Sequence, residues 1–283
     1  FVEWASYYQA PGLGMEPQSL EALESSLAYQ FFHWGFVNQS MYTIAGVAIA
    51  YGVYVRKLPS FQTSAVCCAR LGEKVKGKTI IGKVIDFLVI FGILGALSSS
   101  LGLGVPLATS GLKTLWGIEA TPAVQIGVIV FIALVYTFTS FLGTKKGMQT
   151  ISNIASVVCI FFLLYVLFMG PTTFIFKNIV NSLGYLIQDL PRMALFTDPV
   201  ANTGFAESWT IYFVAFYLNY VAMMGIFIAK VSKGRTIREI AIYTIFIMSF
   251  GGMCIFGIDG SFAISAHLSG AVDVTGLVAS GIG

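Results

Sequence analysis

The sequence predicts an all-α polytopic membrane protein with about six transmembrane helices and one interfacial helix. Its 283 residues are 57% hydrophobic and only 10% charged, whereas a soluble domain carries about 25% charged residues. Several apolar segments reach the roughly 20 residues that a helix needs to cross the hydrocarbon core of a bilayer. Basic residues gather at alternate ends of these segments, which is typical of a chain that crosses a membrane repeatedly.

Six full spans can be placed along the chain. Their expected bounds are roughly 25–55, 84–104, 122–143, 149–170, 208–229 and 239–258. Residues 1–8 precede the first span and are interpreted as the end of a helix, followed by a turn at Pro11 and Gly12. The tail after Asp259 is rich in Gly and Ser, and we expect it to be too short for a further crossing and its loop.

The segment between the fourth and fifth spans predicts an amphipathic helix. Its apolar residues over 171–195 are interrupted by polar ones, namely Lys177, Asn178, Asn181 and Asp189. A helix with one apolar and one polar face is expected to lie along the membrane surface and not to cross it.

Charge predicts the orientation of the spans. Thirteen of the 16 basic residues fall on one side of the six-span topology, and three fall on the other. The thirteen are Arg56, Lys57, Arg70, Lys74, Lys76, Lys78, Lys83, Lys145, Lys146, Lys230, Lys233, Arg235 and Arg238; the three are Lys113, Lys177 and Arg192. The opposite side collects acids, Glu3 among them. By the positive-inside rule, the thirteen mark the cytoplasmic or matrix side of a plasma membrane or an organellar inner membrane.

Composition and motifs argue against several classes of protein. The four cysteines have no spacing that indicates a zinc site or a disulfide framework. No nucleophile elbow, phosphate-binding loop or zinc-protease motif occurs, so we expect neither an enzyme nor a metal site. Because the basic residues are sorted by side, the net charge of +3 does not indicate nucleic-acid binding.

Several short sequence blocks occur together in one order. They are Glu3–Pro11, Phe32–Gly35 with Tyr42, Gly82–Phe87, Ser100–Gly104, Gly143–Asn153 and Ser208–Glu239. This set resembles the betaine/choline/carnitine transporter family over nearly the whole chain. The family has the LeuT-type fold, in which two inverted five-helix repeats enclose a substrate site near the membrane centre.

The resemblance therefore implies a partial LeuT-type inverted-repeat bundle, organised as a single transmembrane domain over 1–283. In that plan, residues 1–170 form the end of the first repeat, and residues 171–207 form the interfacial helix and a loop. Residues 208–283 form the start of the second repeat.

The resemblance also implies a site for a quaternary ammonium group held by aromatic rings. The implied substrate-binding residues are Trp34, Tyr42, Phe216, Tyr217 and Tyr220. Gln39 stands where the family carries a further aromatic residue, and the tryptophans of the family's motif in the fifth span are replaced by smaller residues. Two interpretations stay open: a cation site with altered specificity, or a helix that packs through Phe and Tyr without a ligand.

Ion coupling has weaker support in the sequence. No Asp or Glu is expected at the middle of a span, since Asp86, Glu207 and Asp259 are placed at span ends, and this argues against proton coupling. Sodium would need hydroxyl and carbonyl oxygens, which Ser98, Ser99 and Ser100 could supply. Leu97 replaces a threonine of many sodium-coupled relatives, so packing of small residues is the favoured interpretation and no cofactor is expected.

The sequence thus predicts a secondary transporter that moves betaine-, choline- or carnitine-like compounds by alternating access. Its expected partners are the lipid bilayer, a small zwitterionic or cationic substrate, and copies of itself or subunits of a larger membrane complex. The alternative function is a degenerate, transporter-like structural subunit of such a complex, for example one that transduces energy.

Overall fold

The computed structural model describes residues 2–68, 79–142, 147 and 149–279, without the side chains of Cys68, Ser140 and Ala279. All regular structure in these residues is helical. The α-helices are α1 (Glu3–Gln9), α2 (Leu20–Trp34), α3 (Phe36–Ala50), α4 (Thr63–Cys68), α5 (Ile80–Trp116), α6 (Pro122–Phe141), α7 (Gln149–Met169), α8 (Thr172–Ala194), α9 (Tyr212–Val231), α10 (Ile237–Ile242), α11 (Ser249–Leu268) and α12 (Val274–Ala279). Short π-helical segments at Tyr51–Val55, Ala206–Ile211 and Tyr243–Met248 continue or join them.

The prediction of an all-α polytopic membrane protein is confirmed. Five helices among the described residues are long and apolar enough to cross a membrane. They are Ile80–Trp116, Pro122–Thr139, Gln149–Met169, Ala206–Val231 and Ile237–Leu268. Each overlaps one of the expected spans from the second to the sixth.

The expected first span, 25–55, is divided into α2 and α3 by a break at Gly35. The backbone of Gly35 has φ −100° and ψ −121°, outside the helical region. A Cβ atom built there would lie 2.5 Å from Cε of Met253 and 2.5 Å from the carbonyl oxygen of Phe31. The break therefore lets the chain pass close to α11, and only glycine fits at that position.

Helix α5 is much longer than its expected span of 84–104. Its 37 residues correspond to roughly 55 Å at 1.5 Å per residue. Its glycines and Pro106 do not end the helix. The helix ends at Gly117, whose φ of +69° allows its N–H to bond back to the carbonyls of Leu112 and Lys113.

The last long helix also exceeds its expected bounds, so the prediction that Asp259 ends the sixth span is wrong. Helix α11 continues to Leu268 and encloses Asp259. The small residues that the sequence analysis assigned to a tail instead pack against other helices. Gly260 lies against Leu27 of α2, and Ser261 accepts a 3.0 Å hydrogen bond from Nδ2 of Asn178 on α8.

Two clusters of buried residues hold the helices together. The first lies among α1, α2, α8 and α11 and includes Trp4, Tyr7, Phe31, Leu186, Met193 and Ile264. The second joins α3 to α9 and includes Tyr42, Ile49, Phe213, Tyr217 and Ile228. The second cluster allows close approach because glycine occupies both sides, at Gly46 of α3 and Gly225 of α9.

Helix α8 occupies most of the segment expected to form the amphipathic helix. Ile175, Leu186 and Met193 are buried against the neighbouring helices, whereas Val180 and Ile187 are exposed. Its position at a membrane surface and the boundaries of the three parts of the domain stay predictions.

Part of the predicted basic side lies outside the described residues. The residues concerned are Arg70, Lys74, Lys76, Lys78, Lys145 and Lys146, together with Gly143 of the block Gly143–Asn153. The orientation of the loops relative to the membrane also stays a prediction.

Leucine at either glycine of the α3–α9 contact is expected to destabilise the protein. A Cβ at Gly46 would lie 2.5 Å from Cγ2 of Ile228, and one at Gly225 would lie 2.9 Å from Cβ of Ala45. Overpacking of this kind costs about 1–3 kcal/mol, so Gly46→Leu and Gly225→Leu should lower Tm in detergent. Gly95→Leu is the control, because nothing lies within 4 Å of its Cβ position. Equal Tm values for all three variants would contradict the packing.

The loop after α8 is expected to lose stability at acid pH. Oδ2 of Asp198 accepts 2.6 Å hydrogen bonds from the backbone N–H and the hydroxyl of Thr203, and these bonds hold the pKa of the Asp198 carboxyl below its usual value. A lowered pKa stabilises the fold above the ordinary aspartate pKa of about 3.9, and the contribution is lost as pH falls through the lowered value.

The Tm difference between the wild type and Asp198→Asn should therefore be largest near pH 6 and shrink toward pH 3 and below. The exposed Glu16 offers a control, as Glu16→Gln should change Tm little at any pH. A difference for Asp198→Asn that grows on acidification would refute this account.

Candidate functional site

Trp34 ends helix α2 and lies where four helices meet. Its ring centroid is 5.3 Å from Phe213 and 6.0 Å from Tyr217 of α9, with both pairs close to edge-to-face. On the other side it is 5.6 Å from Phe256 of α11. The break at Gly35 directly after Trp34 leaves this ring at the junction of α2, α3, α9 and α11.

The five predicted substrate-binding residues are brought together in one cluster of rings. Tyr217 contacts Trp34, Tyr42 and Phe216, with centroid separations of 6.0, 6.2 and 6.0 Å. Tyr220 joins through Phe216, at 5.1 Å. We call these five residues the aromatic cluster. Tyr217 is only 1% exposed, so its ring packs against its neighbours in this structure, and the binding role of the cluster stays a prediction.

The hydroxyls of Tyr217 and Tyr220 on α9 bond to other helices. Tyr217 donates a 2.5 Å hydrogen bond to the carbonyl oxygen of His33, one residue before Trp34. Tyr220 donates to the carbonyl oxygen of Ala96 at 2.9 Å and lies 2.6 Å from the hydroxyl of Ser100. These bonds fix the positions of the rings relative to α2 and α5. Because these hydroxyls are hydrogen-bonded to other helices, the two tyrosines contact the other residues of the cluster through their ring faces.

Glu3 holds Trp34 in place, and the sequence analysis missed this role by counting Glu3 among the acids of one membrane side. The indole N–H of Trp34 donates to Oε2 of Glu3 at 2.8 Å. The hydroxyl of Tyr7, one helical turn along α1, bonds to the other carboxylate oxygen. The spacing of Glu3 and Tyr7, four residues apart on one helix face, was the signal that could have indicated a shared site.

The network continues from Tyr7 through His33. The Tyr7 hydroxyl lies 2.8 Å from Nδ1 of His33, and Nε2 of His33 lies 3.2 Å from the hydroxyl of Thr210. The His33 ring also stacks on Phe213 at 4.7 Å. His33 therefore links α1 and α2 to the π-helical segment before α9.

The three predicted ion-binding serines do not form a group of free hydroxyls. Ser98 and Ser99 donate to the carbonyls of Leu94 and Gly95, four residues back on their own helix, at 2.8 and 3.0 Å. Such bonds are common for serine within a helix. Only Ser100 points to the aromatic cluster, through Tyr220. Among the described residues, no group of three or more His, Cys, Asp or Glu side chains could hold a metal ion.

Comparison with known proteins adds a family match over almost the whole chain. The family described as "BCCT, betaine/carnitine/choline family transporter" matches residues 1–282. A carnitine transporter from Acinetobacter baumannii is 34% identical over 274 residues, covering 97% of this chain and 50% of that protein. The uncharacterized transporter YeaV from Escherichia coli K12 is 34% identical over 273 residues, covering 96% of this chain and 56% of that protein. The chain therefore spans about half the length of these relatives.

Loss of the Glu3 carboxylate is expected to destabilise the fold. Glu3→Gln keeps the size of the side chain, but its amide group cannot accept a hydrogen bond at both of its terminal atoms. One donor, on Trp34 or Tyr7, then loses a charge-assisted partner. A loss of about 1–3 kcal/mol should lower Tm in detergent. The exposed Glu24 on α2 provides the matched control, since Glu24→Gln should leave Tm nearly unchanged. If both variants unfold at the same temperature, Glu3 does not anchor Trp34.

Proposed function

Because the chain belongs to the betaine/carnitine/choline transporter family, we propose that it takes part in secondary transport of quaternary ammonium compounds by alternating access. The observation that carries this proposal is the aromatic cluster, which gathers five rings from α2, α3 and α9. Trp34 is its centre, since this ring is oriented by Glu3 and contacts both α9 and α11.

The chemistry of the substrate explains why rings would form the site. A trimethylammonium group has no N–H to donate, so hydrogen-bond acceptors cannot recognise it in the usual way. It is attracted to the negative faces of aromatic rings, at about 0.5–2 kcal/mol per ring, and tryptophan is the strongest of them. Trp34 and two or three tyrosine and phenylalanine rings would together supply several such contacts.

The α3–α9 contact is where we place the helix movement that alternating access requires. The ring contacts of Tyr217 with Trp34 and Tyr42 join the two sides of the cluster. A substrate cation between these rings would replace these contacts with ring–cation contacts. A small displacement of α9 relative to α2 and α3 would open that space, while Gly46 and Gly225 keep the helices close further along.

Gln39 supports a preference for substrates that carry a hydroxyl group. It lies three residues before Tyr42 on α3, so both share one face of the helix. Its Oε1 atom is buried and has no hydrogen-bond partner among the described residues. A buried acceptor without a partner is costly, and a hydroxyl on the substrate would satisfy it. Choline and carnitine carry such a group, whereas glycine betaine does not.

The hydroxyls of Ser98 and Ser99 donate within α5, and this leaves their oxygen lone pairs as the groups that they could offer to an ion. The structural-subunit alternative gains nothing from the comparisons, because the matching family and both relatives are described as transporters.

Transport is expected to be measurable in vesicles reconstituted with the purified protein. Uptake of labelled carnitine, choline and glycine betaine should exceed that of protein-free vesicles, with carnitine and choline above glycine betaine because of Gln39. Gln39→Leu should reduce the advantage of the two hydroxyl-bearing substrates. Uptake equal to that of protein-free vesicles for all three compounds would overturn the proposed function.

Two tryptophan substitutions, one at the site and one far from it, provide the internal control for this experiment. Trp34→Ala should weaken substrate binding about tenfold, which is about 1.4 kcal/mol and within the range of a strong cation–π contact. Trp116→Ala should have no effect, because Trp116 is 69% exposed at the end of α5. Equal effects of the two substitutions would remove Trp34 from the site.

A further inference from the structure

The connection between α9 and α10 concentrates positive charge. Residues 230–239 carry four basic side chains and one acidic one, which gives this segment a net charge of +3. They are Lys230, Lys233, Arg235, Arg238 and Glu239. The sequence analysis used the basic residues only to orient the spans. The structure places one of them, Arg235, at a pocket between the two helices.

The walls of this pocket are apolar. It lies between the end of α9 and the segment that runs from α10 into α11, and its volume is about 260 Å³. Both helices belong to segments long and apolar enough to cross a membrane, and an apolar surface at that level is what acyl chains contact. The apolar lining is formed mainly by Phe227, Val231, Ile240, Ile247 and Met248.

The polar side of the pocket presents the guanidinium group of Arg235. Its Cζ atom lies 5.9 Å from the ring centroid of Tyr243, which also lines the pocket. Its contact with Glu239 is loose, at 3.7 Å from Nη1 to Oε1, and exposed pairs of this kind contribute little. Oε2 of Glu239 accepts hydrogen bonds from Thr236. Most of the five guanidinium N–H groups therefore stay available, and the Ser232 hydroxyl lines the same pocket.

An apolar pocket with a guanidinium group at its polar side matches the chemistry of a phospholipid. A phosphate accepts two parallel hydrogen bonds from arginine, and the start of an acyl chain would cover the apolar wall. The volume is below the roughly 300–1,000 Å³ of typical small-molecule sites, so the pocket suits part of a chain better than a whole soluble ligand. A zwitterionic headgroup would bring an ammonium group to a segment of net charge +3, and an anionic headgroup would not.

We propose that the pocket between α9 and α10 binds one anionic phospholipid, with its phosphate at Arg235 and the first carbons of an acyl chain against Val231 and Ile247. Anionic lipids are attracted to basic segments at the cytoplasmic surface of a membrane, which is the side that the sequence predicts for Arg235. The pocket shares no residue with the aromatic cluster. The proposal therefore goes beyond the proposed function and does not rest on it.

The test compares lipid binding to the purified chain in detergent by native mass spectrometry. Dioctanoyl phosphatidylglycerol should bind as one tight copy per chain, several-fold more tightly than dioctanoyl phosphatidylcholine. Arg235→Gln should weaken phosphatidylglycerol binding about fivefold, the effect of one basic contact with an anionic lipid. Arg238→Gln is the matched control, because Arg238 is exposed on the same segment and does not line the pocket. Its effect should be much smaller.

A second matched pair tests the apolar wall and does not depend on Arg235. Ile247→Trp fills the pocket and should weaken phosphatidylglycerol binding several-fold. Ile242→Trp should not, because Ile242 does not line the pocket. Both isoleucines are exposed, so both variants should fold.

Four results would overturn the proposal. Equal affinity for the two lipids would remove the preference for an anionic headgroup. Equal losses for Arg235→Gln and Arg238→Gln would show attraction to the basic segment as a whole, and equal losses for the two isoleucine variants would exclude the pocket. Displacement of the lipid by glycerol phosphate would show a site for a soluble anion. Lipid binding is measured without transport substrate, so its failure leaves carnitine uptake untouched and the two proposals fail independently.

Discussion

The hydrogen bonds accepted by the Glu3 carboxylate are the contact on which the candidate site depends. Both oxygens are used, one by the indole of Trp34 and one by the hydroxyl of Tyr7. A carboxylate in an apolar setting is tolerated only when donors surround it, so this pairing fixes α1 against the end of α2. The same bond sets the orientation of the Trp34 ring. The position of the most important predicted ring is thus decided by a residue more than 30 positions away in sequence.

From that contact, polar bonds spread to the other helices of the site. The ring of His33 contacts the hydroxyl of Thr210. The carbonyl oxygen of His33 accepts a hydrogen bond from the hydroxyl of Tyr217. Tyr220 reaches α5 through Ala96. Tyr217 and Tyr220 thus supply hydroxyls that tie α9 to its neighbours. Their rings remain part of the aromatic cluster, so the same two residues serve packing and the proposed cation site.

Hydropathy placed the second to the sixth expected spans on helices that are long and apolar enough to cross a membrane, because long apolar segments leave few structural choices there. Their ends were predicted less well. Gly35 breaks the first span because α11 comes close there, and a contact between distant segments leaves no local signal. Helix α5 also runs past its expected end at 104 and continues to Trp116. Asp259 was taken as a boundary because charges usually lie at span ends, yet the structure encloses it.

In the candidate site, too, features set by local motifs could be predicted from the sequence, and contacts between distant residues could not. The ring positions followed from motif spacing in the resemblance, and the structure gathers all five in one cluster. The hydrogen bonds that hold those rings could not be predicted, because Glu3, Thr210 and Ala96 are far in sequence from the residues that they contact. The unpartnered acceptors at Gln39 and Asp259 were also invisible in sequence, since a missing partner is a property of the packed structure.

The central claim is that the Trp34 ring contacts the quaternary ammonium group of the substrate. The most direct measurement is ¹⁹F NMR of protein labelled with 5-fluorotryptophan, in which the four tryptophans are resolved and assigned by single Trp→Phe variants. Addition of carnitine should shift the Trp34 resonance in a saturable way and leave the exposed Trp116 resonance unchanged. A saturable shift at Trp116 with none at Trp34, or no shift at any tryptophan, would contradict the account.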